Sequence, residues 1–488
     1  MTSTNPGVTS AEVEHGFRRI RTGSPGADDI LGGGFPANSI NIIMGRPGSG
    51  KTVFAEQLVF HNASRDEDDD RPALYLTTLS EPLAKVVTYL QRFDFYDESK
   101  LGTAVIYDDL GAALAESGVE VLVPRIRDAI TTLSPKILVI DSFKVLHDLE
   151  PSPSATRRLI SDLAGLLTAY DVTTFLVGEY STDHIARYAE FAVADSVVEF
   201  AREQLTSRDE RYFRVLKLRG SSYREGAHGM RLSGGGVEFF PRLVSPQLPE
   251  GYKLELERMP SGLHGLDALI EGGLWRGSTT LVAGPTGSGK TTIASQFALQ
   301  GIHDGEPALY VNFQENPTQF ERLLASLGMS EGEAERRGLH SIYTSPVELQ
   351  IDSIISGIYR RIRESGIRRV VIDAVGDLYT AVYDAQRLHD YLYALTQHLT
   401  VSGVTSILTY ETPTSGLGLA QTNPTREVGF SYVADNVFIL TAADAEGRRS
   451  MRVLKTRNSG HDPRPHVLML GASGASIGAR IGASAPEA

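Results

Sequence analysis

The sequence predicts an α/β fold made twice over: two tandem phosphate-loop domains, each a mostly parallel sheet flanked by helices. Three observations carry this expectation. Gly45-Arg46-Pro47-Gly48-Ser49-Gly50-Lys51-Thr52 and Gly284-Pro285-Thr286-Gly287-Ser288-Gly289-Lys290-Thr291 both fit G-x-x-x-x-G-K-[ST]. Each follows an apolar run and opens a helical pattern, the strand–loop–helix setting in which this motif cradles phosphate. Downstream, apolar strands such as Ala73 to Thr77 and Ala308 to Asn312 alternate with amphipathic helices, as in a parallel sheet. Finally, landmark residues recur at nearly constant spacing, the mark of a duplication.

Taken in order, residues 1–15 are expected to be poorly ordered. The first domain, 16–240, opens on Arg21-Thr22-Gly23-Ser24-Pro25-Gly26-Ala27-Asp28-Asp29-Ile30. The second, 258–471, opens on the matching Pro260-Ser261-Gly262-Leu263-His264-Gly265-Leu266-Asp267-Ala268-Leu269. Beyond the loops, Asp141 after Ile137-Leu138-Val139-Ile140 matches Asp373 after Val370-Val371-Ile372. Asp195 matches Asp435, and Lys217-Leu218-Arg219 matches Lys455-Thr456-Arg457. Phe213 to Leu218 and Met451 to Leu454 read as antiparallel additions. The Pro-rich stretch 241–257 reads as a linker, and 472–488, rich in Gly, Ala and Ser, as a flexible tail. The run Asp66-Glu67-Asp68-Asp69-Asp70 reads as a solvated loop.

The loop positions Gly45, Gly48, Ser49 and Gly50, with Gly284, Gly287, Ser288 and Gly289, are expected to wrap phosphate with backbone N–H groups. Lys51 and Lys290 would meet the β- and γ-phosphates, and Thr52 and Thr291 would hold Mg²⁺. Asp141 and Asp373 are the matching metal carboxylates; either could alternatively cap a helix. A nucleoside triphosphate, taken to be ATP, is the implied ligand. Hydrolysis also needs a group that positions water. The second domain offers Gln314-Glu315 after its strand, with Glu315 the candidate base. The first has Leu79-Ser80 there, with Glu81 one position later. The expectation is asymmetric: first-domain nucleotide retained, second-domain nucleotide turned over. Lys217, Arg219, Lys455 and Arg457 could reach a neighbouring copy's γ-phosphate, or could simply be basic edges that deter strand addition.

Composition sets the outer limits. A chain of 488 residues suggests about three domains from length, which the repeat reduces to two large ones. With 41% hydrophobic and 22% charged residues it reads as an ordinary globular chain. No apolar run is long enough for a membrane span, and the start has no secretory pattern. Zero cysteines exclude disulfides and thiolate chemistry and fit a cytoplasmic setting. The net charge of −13 argues against general nucleic-acid binding.

Together these motifs resemble the KaiC family, double-domain RecA-like ATPases best known from bacterial circadian clocks. The resemblance spans nearly all of 16–470 and includes both loops, both acidic strands, Lys217-Leu218-Arg219-Gly220-Ser221-Ser222 and Lys455-Thr456-Arg457-Asn458-Ser459-Gly460-His461-Asp462. It implies two stacked rings forming a homohexamer, with ATP between subunits and protein signalling partners. It also implies hydrolysis in the first domain and autokinase activity in the second. Two adjacent glutamates common in the family are here Leu79-Ser80 and Gln314-Glu315. The family's Ser-Thr phosphoacceptor pair is here Ser431-Tyr432, making Ser431 the candidate acceptor; alternatively Ser431 only starts a strand. The segment after Leu470 is short and is expected to lack the tail that docks an activating partner. Two other readings stay open: a DNA-handling motor on the same core, and an ATP-assembled scaffold. Against the motor, Ala374-Val375-Gly376-Asp377, a candidate pore loop, is not basic.

Overall fold

Branched and aromatic side chains in short apolar runs build the central strands, and the computed structural model arranges them as two sheets. It describes residues 18–63, 70–78, 83–150, 152–204, 209–249, 255–345, 349–382, 385–412, 431–471 and 474–482. The expectations for residues 1–15, for Asp66 to Asp69 and for Leu79-Ser80-Glu81 lie outside these residues. The chain divides into two compact units between Arg242 and Leu243.

In the first unit β1 (Ile40–Gly45), β2 (Ala73–Thr77), β3 (Val105–Asp109), β4 (Ile137–Asp141) and β5 (Thr173–Gly178) run parallel. β6 (Ser196–Gln204) joins β1 in parallel, and β7 (Asp209–Leu218), β8 (His228–Ser233) and β9 (Gly236–Phe240) follow antiparallel. The order across this sheet is β9-β8-β7-β6-β1-β5-β4-β2-β3. The second unit repeats the design with β10 (Thr279–Gly284), β11 (Ala308–Asn312), β12 (Leu339–Tyr343), β13 (Arg369–Asp373) and β14 (Thr405–Glu411). β15 (Asn436–Leu440), β16 (Arg449–Thr456), β17 (His466–Gly471) and β18 (Gly474–Arg480) complete it, in the order β12-β11-β13-β14-β10-β15-β16-β17-β18.

Helices cover both faces, so the central strands are buried on both sides and read as unbroken apolar runs. α1 (Lys51–Asn62) and α2 (Pro153–Ala169) serve the first unit; in the second, α3 (Lys290–His303) is the counterpart of α1, and α4 (Pro317–Ser326) follows β11. Pro153 at the start of α2 follows Ser152, whose hydroxyl accepts from Ala155 N–H, a capped start with no wasted donor. Under α1, Phe54, Phe200, Phe213 and Phe239 interlock, with Phe213 and Phe239 meeting edge-on at 4.8 Å.

The tail expectation needs correcting. Residues 474–480, expected to be flexible, form edge strand β18, paired antiparallel with β17. Ala475 and Ile477 are buried beside α3, and the Ala475 N–H donates to Gln296 Oε1 at 2.7 Å. Small residues made this stretch resemble a linker, yet small side chains are what let an edge strand lie close to a helix. The hairpin β8–β9 was likewise not anticipated as a pair of strands.

Arg369, only 1% exposed, is the largest fully buried side chain among the described residues. Its guanidinium donates to Glu306 Oε2 at 2.9 Å and to the carbonyls of Pro260 and Phe297 at 3.0 and 3.1 Å. A buried charge paired this fully is tolerated, but removing one partner strands the other. Arg369→Ala is therefore expected to lower the second unit's unfolding free energy by roughly 3–5 kcal/mol, measured by chemical denaturation.

Candidate functional site

Each phosphate loop turns from its strand into its helix through a glycine that only Gly adopts easily: Gly50 has φ +104° and Gly289 has φ +102°. This directs Lys51 and Lys290 back over their loops. Lys51 Nζ donates to the Arg46 carbonyl at 2.9 Å; Lys290 Nζ donates to those of Gly284 and Pro285, both at 2.9 Å. Burial lowers the proton affinity of both amines, and nearby carboxylates oppose the effect. The hydroxyls of Ser49 and Ser288 are fully buried and lack a hydrogen-bond partner among the described residues. A matched pair of orphaned donors inside two loops is what a phosphate oxygen would satisfy.

In the first unit the acidic strand β4 delivers Asp141 next to α1. Asp141 Oδ2 accepts from Thr52 Oγ1 at 2.8 Å and from Tyr75 OH at 2.9 Å. Burial pushes the Asp141 carboxyl up, against the pull of those two hydroxyls. A hydroxyl and a carboxylate side by side are hard oxygen donors suited to a small dication such as Mg²⁺. These groups line a cavity of about 850 Å³ that also holds Gly48, Lys51 and Glu179.

The second unit differs in detail. Asp373 accepts from Tyr310 OH at 2.8 Å and, through its other oxygen, from Thr409 Oγ1. Thr291 makes no such bond with Asp373, so the matching hydroxyl–carboxylate pair is present in composition but not joined. Thr409 stands where the first unit has Val177, which explains the change of partner. The donors still fit the same hard cation. In both units the peptide after this aspartate is cis.

At the end of β11, Asn312 Oδ1 accepts from the N–H groups of Gln314 and Glu315 at 3.1 and 3.0 Å, and Asn316 caps α4. This tight turn separates two neighbours. Gln314 Nε2 donates to both oxygens of Asp377 at 3.0 Å. Glu315 faces inward instead: its Oε2 is buried with no partner among the described residues. Burial, and then the Asp373 charge, push its carboxyl up. Of the two candidates, Glu315 lies within reach of the Asp373 charge, whereas Gln314 is held by Asp377.

Lys217, Arg219, Lys455 and Arg457 do not reach the loop of their own unit. Lys217 lies opposite Val197 near the start of β6, while the loop follows the far end of β1. Lys217 Nζ donates to Phe191 O at 3.1 Å and Arg219 to Ala192 O at 3.2 Å. In the second unit Lys455 Nζ donates to the carbonyls of Ser431 and Ala434 at 3.2 and 2.7 Å, and Arg457 pairs with Asp435 at 3.5 Å. Ser431 is half-buried in this cluster. Its neighbour Tyr432 stacks on His389 at 5.0 Å and is pushed up to about 12, mainly by burial.

Sequence reading missed three groups at the loops. Glu179 directly follows β5 and Glu411 ends β14, the strands beside the loop strands, at matching register. Arg449 Nε donates to the Gly287 carbonyl at 3.1 Å. A carboxylate ending the next apolar strand in both halves was the available signal for the first two; nothing local marked Arg449.

Comparison with known proteins agrees with this geometry. The family model described as ATPase: KaiC matches twice, over residues 20–244 and 259–481. The circadian clock oscillator protein KaiC of Rippkaea orientalis is 27% identical, covering 97% of this chain and 91% of that relative. KaiC of Acaryochloris marina is 28% identical over 91% of this chain and 85% of its own. KaiC 1 of Synechocystis is 26% identical over 92% and 86%. Among the described residues, no helix is long and apolar enough to cross a membrane. With two nucleotide-cradling loops, each facing a strand-end aspartate, the chain belongs to the KaiC ATPase family.

Proposed function

We propose that this KaiC-type ATPase is an ATP-driven switch whose two units handle nucleotide differently. The single observation that carries the reading is Glu315, a carboxylate with an orphaned buried oxygen, raised proton affinity and a place beside Asp373. Such a group is suited to position and deprotonate water. In the first unit the corresponding residues by sequence are Leu79 and Ser80, so nucleotide there is held longer. Thr52 with Asp141, and Thr291 with Asp373, are the groups that would hold Mg²⁺, which when bound neutralises β- and γ-phosphate charge.

The assembly we infer is a homohexamer of stacked rings. It would let Lys217, Arg219, Lys455 and Arg457, which point away from their own loops, meet a neighbour's triphosphate. Ser431, half-buried beside Lys455, is the hydroxyl we assign as the autophosphorylation site, with protein partners reading its state. The working domains are 16–240 and 258 through the end of β18, in a cytoplasmic setting. The test is incubation with ATP and Mg²⁺, followed by phosphate release, light scattering and mass spectrometry. Slow turnover, a mass of six chains and one phosphate on Ser431 are expected. A chain that retains no purine nucleotide at either loop would overturn the reading.

A further inference from the structure

We propose that Glu179 is the water-positioning carboxylate of the first nucleotide site and supplies its slow turnover. This rests on the ATPase reading above and extends it to the unit in which the usual position carries Leu79 and Ser80.

The argument begins with strand order. β5 lies between β1, which leads into the loop, and β4, which ends at Asp141. Gly178, the last residue of β5, faces Met44 in register, so Glu179 emerges next to Gly45, the first residue of the loop motif. At that position the Glu179 charge acts on both the Lys51 amine and the Asp141 carboxyl. Glu179 lines the same cavity as Lys51, Thr52 and Asp141. Among the charges acting on Lys51 it is the strongest, ahead of Asp141.

The carboxylate is also uncommitted. Glu179 is exposed to the cavity and has no hydrogen bond or ion pair with a described residue. Its second-unit counterpart is tied down: Glu411, in register with Gly284, accepts from Thr286 Oγ1. The first loop has Pro47 at the position of Thr286, which offers no hydroxyl. The next residue anchors the backbone, because Tyr180 OH donates to buried Glu190 at 2.9 Å and His147 Nε2 meets the same oxygen at 2.8 Å. Glu179 therefore has a fixed base and a free head. In the step it serves, the water oxygen bonds to the γ-phosphorus as the bond to the β–γ bridging oxygen breaks. The water proton passes to the Glu179 carboxylate and leaves to solvent, yielding ADP and inorganic phosphate.

The test uses the full chain carrying Glu315→Gln, so that second-unit turnover is suppressed. Single-turnover phosphate release and retained ATP are followed with and without Glu179→Gln. The expected result is a further fall of roughly 100-fold in the residual release, with first-site ATP retention unchanged. Residual release that survives E179Q and disappears instead with Glu81→Gln overturns the proposal, as does no residual release at all in the E315Q chain. Failure of the unmodified chain to retain ATP would instead sink the nucleotide reading itself, so the two failures are told apart.

Discussion

Replacing Glu315 by Gln is expected to slow phosphate release by the second unit roughly 10²–10³-fold while ATP stays bound. Gln keeps the shape and can still touch water, but it cannot take a proton. The carboxyl of Glu315 is raised above its ordinary value of 4.5 by burial and by Asp373. The base is competent only when ionised, so activity should fall as pH drops through that raised pKa. E315Q should lose that acid limb. The stability effect has the opposite sign. A carboxyl whose folded pKa is raised binds protons more readily folded than unfolded, so its charge opposes folding above that pKa. At neutral pH the nucleotide-free E315Q chain should therefore melt at a higher temperature than the parent. Unchanged release and an unchanged melting point would together remove Glu315 from the site.

Truncating the loop lysines should have a comparable effect on binding. Each ammonium is predicted to make charge-assisted contacts with triphosphate worth about 1.5–3 kcal/mol, a loss of roughly 10–100-fold in affinity per site. Lys51→Ala and Lys290→Ala should each abolish one of two nucleotides retained after desalting, and the double variant both. Both amines are buried and their proton affinity is lowered by that burial, so without ligand they stabilise little. The nucleotide-free melting temperature should hold or rise in both variants, while the upward shift caused by ATP is lost. A double variant that still shifts with ATP would show that these loops are not the binding sites.

Much of the site was legible because its chemistry is local in sequence. A phosphate loop is eight consecutive residues, and its glycines, lysine and threonine do their work within one turn from strand to helix. Asp141 and Asp373 were legible for a related reason: each ends a run of branched apolar residues, and in a parallel sheet all such ends lie on the loop side. Glu315 stood out from Gln314 only in part. Both follow the same strand, and the Asn312 turn decides that one faces Asp373 and the other Asp377.

By itself the sequence determined the duplication, the two phosphate loops and the strand-end aspartates, since spacing along the chain encodes all three. The tertiary structure decided the rest. It made 474–480 an edge strand, because burial of Ala475 and Ile477 against α3 outweighs a linker-like composition. It placed the Lys217 and Lys455 clusters at the opposite end of each sheet from the loop, because antiparallel return strands carry their final residues back to where the parallel ones begin. It left Glu179 free and tied Glu411, through a contact between residues 125 positions apart. Such contacts depend on strand order and register, which the pattern of one chain segment does not contain.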